Sequence, residues 1–196
     1  MQVQLSRPLD WLVVADHSDG MGAMNEIIKG DPNLLRDPTV RDWYERLNQG
    51  GETALMATMD IINAFALGNI PEILIDEKFS KTIWDRYLDA AEAYNDPGVF
   101  TSIIGYEWTS TEDGNNLHRN VLYRDGKSLA RQLLPYTTME SFNPEELWKW
   151  MQAYEDKTGG QVLALAHNGN LSNGSMFPVE TNPATGEALS VDYLNT

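Results

Sequence analysis

The sequence predicts an α/β fold in one domain spanning residues 1–196. Three short apolar runs lead to that expectation, together with the amphipathic helical patterns between them and the side chain on which each run ends. Trp11-Leu12-Val13-Val14-Ala15 ends in Asp16-His17. Phe100-Thr101-Ser102-Ile103-Ile104-Gly105-Tyr106 ends in Glu107, and Val162-Leu163-Ala164-Leu165-Ala166 ends in His167. Continuous apolar runs of this length suit strands buried on both faces of a parallel sheet. Reactive groups at strand C-terminal ends are where such folds place their sites.

Helical periodicity fills the intervals. A first pattern carries Leu55, Met59, Ile62 and Ala66 on one face, which implies a core-facing stripe, before Gly68-Asn69 and Pro71 stop it. A second, from about Ser80 to Tyr94, places Ile83, Tyr87 and Ala91 beside Trp84 and Leu88 and ends at Asp96-Pro97-Gly98. In the third, Asn143 is the N-cap, Pro144 the first helical residue and Glu146 the partner in a capping box. Leu147, Trp150, Met151 and Tyr154 form its buried face up to Gly159-Gly160. The long interval from His17 to Gly98 needs more than one helix, including one near Thr39 to Leu47, and part of it could form a lid. Thr109 to Asn116 is rich in Thr, Asp, Gly and Asn and is a second candidate mobile stretch.

Composition narrows the chemistry. A chain of 196 residues with six Trp, eight Tyr and 42% hydrophobic residues has the makings of a real core. Its net charge of −15 argues against sequence-independent binding to nucleic acid or to an anionic bilayer, both of which rely on clustered Lys and Arg. The absence of cysteine excludes disulfides, thiolate metal sites and a thiol nucleophile. No apolar run approaches the roughly 20 residues that cross a bilayer, and Met1 to Arg7 lack the order of a secretory signal. The expectation is a soluble chain with no visible address.

Any metal site must therefore use His and carboxylate groups, which suit zinc, manganese or iron. The three His residues, His17, His118 and His167, all stand beside small or polar residues rather than within apolar stripes. Each alone could be a capping or structural group; two of them at strand ends, with Glu107 at a third, point to metal ligation. His118 immediately precedes a further expected strand, Arg119 to Tyr123, and in a parallel sheet would lie at the opposite end from the others. Glu107 is a candidate bridging carboxylate of a two-metal site, in which metal-bound water reaches a pKa of about 7 and can attack phosphorus or carbonyl carbon. Asp16 and Asp19 could orient the ligands or simply cap the loop. Arg119 could hold a substrate phosphate by its bidentate fork or make an ordinary salt bridge. Asn168, Asn170 and Asn173, in a Gly- and Ser-punctuated loop after His167, are turn formers and also binding candidates.

The segments Arg7 to His17, Ile104 to Thr109, Asn116 to Val121 and His167 to Gly174 together resemble the domain of unknown function 3604 family, which is related to the polymerase and histidinol phosphatase (PHP) superfamily. The resemblance extends over nearly all the chain. It implies a distorted seven-stranded β/α barrel with two or three divalent metal ions at the strand C-terminal ends. His17 would match the strand-end Asp-His ligand, Glu107 the bridging glutamate, and His118 and His167 two later ligands. The superfamily's His-x-His pair would precede Met1, and its Asp-x-His pair near the barrel's end does not occur. By resemblance, then, the sequence is an incomplete domain lacking both ends, with sheet edges left open.

The expected function is that of a metal-dependent hydrolase acting on phosphate esters through a metal-bound hydroxide, with Arg119 and Asp16 as candidate catalytic groups and a small, anionic molecule as substrate. The alternative is a non-catalytic ligand-binding or interaction domain derived from such an enzyme. A carbohydrate groove lined by Trp and Asn is a third idea.

Overall fold

The computed structural model describes residues 5–167, 169, 171–177, 181 and 186–188. Strand β1 (Trp11–Val13) lies parallel to β2 (Thr101–Ile103), with Trp11 opposite Thr101 and Val13 opposite Ile103. A parallel bridge between His17 and Glu107 carries the same register onward. Through it, β2 and β3 (Gly105–Trp108) act as one strand interrupted at Ile104. β4 (Arg119–Tyr123) is antiparallel to β3, and β5 (Val162–Ala166) is antiparallel to β4.

The result is a mixed α/β arrangement of two small sheets, β1–β2 and β3–β4–β5, linked by the His17–Glu107 bridge, with no closed barrel among the described residues. The expected all-parallel sheet is corrected at β4. The edge strands are also less buried than their apolar sequences imply: Trp11, Leu12, Leu163 and Leu165 are all exposed. Among the described residues, β1 pairs only with β2 and β5 only with β4.

Six α-helices accompany these strands among the described residues: α1 (Ala23–Lys29), α2 (Pro38–Gln49), α3 (Gly51–Ala66), α4 (Glu77–Tyr94), α5 (Lys127–Ala130) and α6 (Pro144–Thr158). Their starts follow from local chemistry. Asp37 caps α2 by accepting from the backbone N–H groups of Thr39 and Val40, at 2.8 and 3.1 Å, and Pro38 supplies a fixed φ at the first helical position. Asp76 caps α4 through Phe79 N–H at 3.1 Å. Asn143 caps α6 through Glu145 N–H at 2.9 Å, and left-handed Gly159 ends it. The anticipated capping box is not formed, because the Glu146 carboxylate instead accepts from Lys149 Nζ at 2.7 Å.

Two apolar clusters hold these parts together. In the larger, Trp84 and Leu88 of α4 and Leu147 and Tyr154 of α6 pack on Tyr106, Trp108, Val121 and Tyr123 of the central strands. In the smaller, Ile27, Leu34, Val40, Trp43, Ile61 and Leu74 join α1, α2 and α3. The stripe expected to bury α3 does not do so: Leu55, Met59 and Ile62 are 61, 45 and 52% exposed, whereas Ala57 and Ile61 are at most 3% exposed. α3 carries apolar residues on two faces, and the one bearing Ile61, Ala64 and Phe65 packs into the smaller cluster. No helix among the described residues is long and apolar enough to cross a membrane.

This placement makes a contrasting pair of expectations for urea denaturation. Leu147→Ala, at a fully buried position, should destabilise the chain by about 2–5 kcal/mol. Leu55→Ala should stay within about 0.5 kcal/mol of the parent; a large loss there would mean that the exposed face of α3 is covered in solution.

Candidate metal centre

Side chains alternate across a strand, and that rule with the observed register assembles the site. His17 stands opposite Glu107, Glu107 opposite Asn120, and Asn120 opposite Leu165. His118 lies two residues before Asn120 and His167 two residues after Leu165, so both share the face of Glu107. Because β4 is antiparallel, its beginning lies at the same end of the sheet as the C-terminal ends of β1, β3 and β5. His118 therefore reaches the other ligand candidates without any bend in the chain.

The four groups do converge. His17 Nδ1 lies 3.0 Å from Glu107 Oε2, His118 Nδ1 lies 2.9 Å from Glu107 Oε1, and His167 Nε2 contacts Glu107 Oε1. One ligand atom each from His17, Glu107 and His118 falls within 4.8 Å of the others. Backbone hydrogen bonds from Glu107 N to Asp16 O and from Ser18 N to Glu107 O, both 2.8 Å, lock His17 beside the carboxylate.

Electrostatics follow from this crowding. Burial, at 7% exposure, opposes ionisation of Glu107, but hydrogen bonds from His118, His17 and His167 outweigh it and hold the carboxyl far below its usual range. The hydrogen bond to Glu107 raises the His17 pKa against partial burial, with further attraction from Glu107, Asp19 and Asp16. Asp19 is pushed up by burial, although Thr138 donates to it through both its backbone N–H and its hydroxyl.

His118 Nε2 is buried and has no hydrogen-bond partner among the described residues. A ring whose Nδ1 faces a carboxylate and whose other nitrogen is left over has a lone pair to offer a cation. Imidazole nitrogens with a carboxylate form a donor set that fits zinc, manganese or iron.

The other sequence candidates lie elsewhere. Arg119 is 6% exposed and, by alternation, belongs to the opposite, helix-covered face. Its guanidinium donates to the carbonyls of His118 and Met176, each at 3.2 Å, and stands 5.9 Å from the Trp148 ring centroid. Asp16 is exposed and meets the site through its backbone carbonyl. Asn173 donates to Asn115 Oδ1 at 2.7 Å, while Asn168 and Asn170 lie outside the described residues.

Thr109 is an addition to the expected set, its hydroxyl 2.5 Å from His17 Nδ1. Its spacing two residues beyond Glu107 already placed it on the same strand face. The Thr109 to Asn116 stretch contains a 3-10 turn at Glu112–Gly114 and is anchored by Leu117 N–H to Ser110 O at 2.9 Å and Asn116 N–H to Leu171 O at 3.1 Å.

Fold and cluster together give a mixed α/β protein in which a group formed by His17, Glu107 and His118 could hold a metal ion, with His167 in contact with the same carboxylate. Over residues 1–196 the sequence matches the family model described as "Protein of unknown function (DUF3604)", and the chain belongs to that family. No curated protein and no solved structure matches it.

Elemental analysis of chain purified without chelator tests the cluster. About one or more zinc, manganese or iron ions per chain is expected, with loss of most of that metal in folded Glu107→Ala and His118→Ala variants. Arg119→Met should retain the metal but lose stability by more than about 1 kcal/mol, since it removes buried hydrogen bonds. Metal loss in Arg119→Met equal to that in Glu107→Ala would contradict the separation of the two faces.

Proposed function

We propose that the chain carries the centre of a metal-dependent hydrolase of the polymerase and histidinol phosphatase type, acting on phosphate esters. The observation that carries the reading is the division of Glu107 between two sets of partners, with Oε2 beside His17 and Oε1 beside His118 and His167. A buried carboxylate whose two oxygens face histidines is suited to a cation site, and in this proposal His17, Glu107, His118 and His167 would hold the divalent metal. The array of β1 to β5 is then part of the distorted seven-stranded barrel that the resemblance implies.

Divalent ions bound there would supply Lewis acidity and lower the pKa of bound water to about 7. The protein's own contribution is positioning. Thr109 and Glu107 fix the His17 ring, and Asp16 and Ser18 fix the Glu107 backbone between them. Arg119 acts from the opposite face as a positioning residue, tying the His118 carbonyl to Met176. The packed aromatic layer beneath the strands keeps water away from the rear of the site.

Hydrolysis of p-nitrophenyl phosphate and bis(p-nitrophenyl) phosphate, measured with added manganese or zinc, tests this function. The expected result is turnover that a chelator abolishes and that Glu107→Ala reduces by at least about 100-fold, as removal of a metal-ligating group should. Bound metal with no turnover of either ester would favour the non-catalytic binding domain. Turnover that persists in chelator would remove the metal-dependent reading.

A further inference from the structure

Strand register sets a row of residues across the face that carries the metal centre: His17 opposite Glu107, Glu107 opposite Asn120, and Asn120 opposite Leu165. The first two are candidate ligands, and Asn120 so far has no role. β4 alternates strictly, with Arg119, Val121 and Tyr123 buried and Asn120 and Leu122 half-buried. Asn120 therefore shares the side of His118, whose Nδ1 lies 2.9 Å from Glu107 Oε1. Directly opposed residues of an antiparallel pair have Cβ atoms about 4.5–5.5 Å apart, so the Asn120 side chain starts beside that of Glu107.

Asparagine is depleted from strands, and β4 is the central strand of its sheet, paired with β3 on one side and β5 on the other. No hydrogen bond among the described residues uses the Asn120 side chain. The oxygens of Glu107 are engaged by His17, His118 and His167, and the Leu165 side chain has no polar atom. The amide thus keeps its N–H donors for whatever is brought to this face. Neighbouring donors are committed elsewhere: Arg119 to the carbonyls of His118 and Met176, and the Thr109 hydroxyl to His17 Nδ1 or the Glu107 carbonyl.

We propose that Asn120 is an anion-binding residue of the metal centre, its Nδ2–H donating to an oxygen of a phosphoryl group that the bound metal attracts. A neutral amide suits this position, because it adds a directed hydrogen bond without a positive charge that would repel the metal. The assignment rests on the metal centre proposed above but not on turnover, since a bound phosphate needs no reaction to accept the bond.

Isothermal titration calorimetry of the full chain, loaded with manganese and freed of excess metal, against inorganic phosphate reads this bond. Asn120→Leu, close in volume and a better strand former, and Asn120→Asp, nearly identical in shape, both remove the N–H donors, so one serves if the other does not fold. Each should keep the metal content of the parent by elemental analysis. Phosphate affinity should fall about tenfold in Asn120→Leu and further in Asn120→Asp, where an added carboxylate repels the anion. A purely structural role would move metal content and phosphate affinity together, and that result would overturn the assignment. Unchanged phosphate affinity in a folded, metal-loaded variant would also overturn it, as would a parent chain that holds no manganese or that holds it without affinity for phosphate. Weakened phosphate binding in the variants, with no turnover of either nitrophenyl ester by the parent, would sustain Asn120 as an anion-binding residue while the hydrolase reading fails.

Discussion

Burial of the Glu107 carboxylate is the constraint on which the arrangement of this sheet depends. A carboxylate taken out of water is costly unless it is paired, and Glu107 is paired with imidazoles from three separate segments of the chain. Each must arrive on the same face and at the same end of the strand array. β1 must run parallel to β3 with His17 in line, β4 must run the other way so that its beginning lies near the end of β3, and β5 must again reverse. A one-residue slip in any ladder would turn a histidine to the helix-covered side and leave the carboxylate facing fewer partners. The cluster therefore constrains register as well as chemistry.

The helix-covered face makes the complementary demand. Tyr106, Trp108, Val121 and Tyr123 fill it with apolar bulk, and Arg119 is accommodated there only because carbonyl oxygens and the Trp148 ring receive its guanidinium. Its immediate predecessor, His118, faces the carboxylate. The pair His118-Arg119 thus places one polar group on each side of the sheet, and the arginine's bond to the His118 carbonyl links the two sides through the backbone.

Much of this was legible in the sequence. The apolar runs led to strands at or near the expected positions, and the expected Asn143 cap begins α6, whereas the Asp37 and Asp76 caps emerged only from the structure. The four convergent residues were identifiable because histidine is scarce in this chain and each lies at the boundary of an apolar run. The direction of β4 was missed, although the signal was present: the segment from Thr109 to His118 is shorter than the dozen or more residues that a parallel crossover usually needs. The buried side of α3 was a different kind of failure. Leu55, Met59 and Ile62 form one stripe and Ala57 with Ile61 another, and periodicity alone cannot decide which of two apolar stripes meets a neighbour. Tertiary contacts with α1 and α2 chose the face of Ile61.

Charge supplies the last step. With a net charge of −15, the protein's overall field opposes the approach of any anion, so an anionic substrate needs a local reversal of sign. Arg119, the cationic residue adjacent in sequence to the cluster, is committed to the opposite face by strand alternation and by its contacts with Met176 and Trp148. The imidazoles are engaged with Glu107. Within the proposed function, the positive charge that receives a phosphate ester must therefore come chiefly from bound divalent ions, usually the largest local charges in such a site.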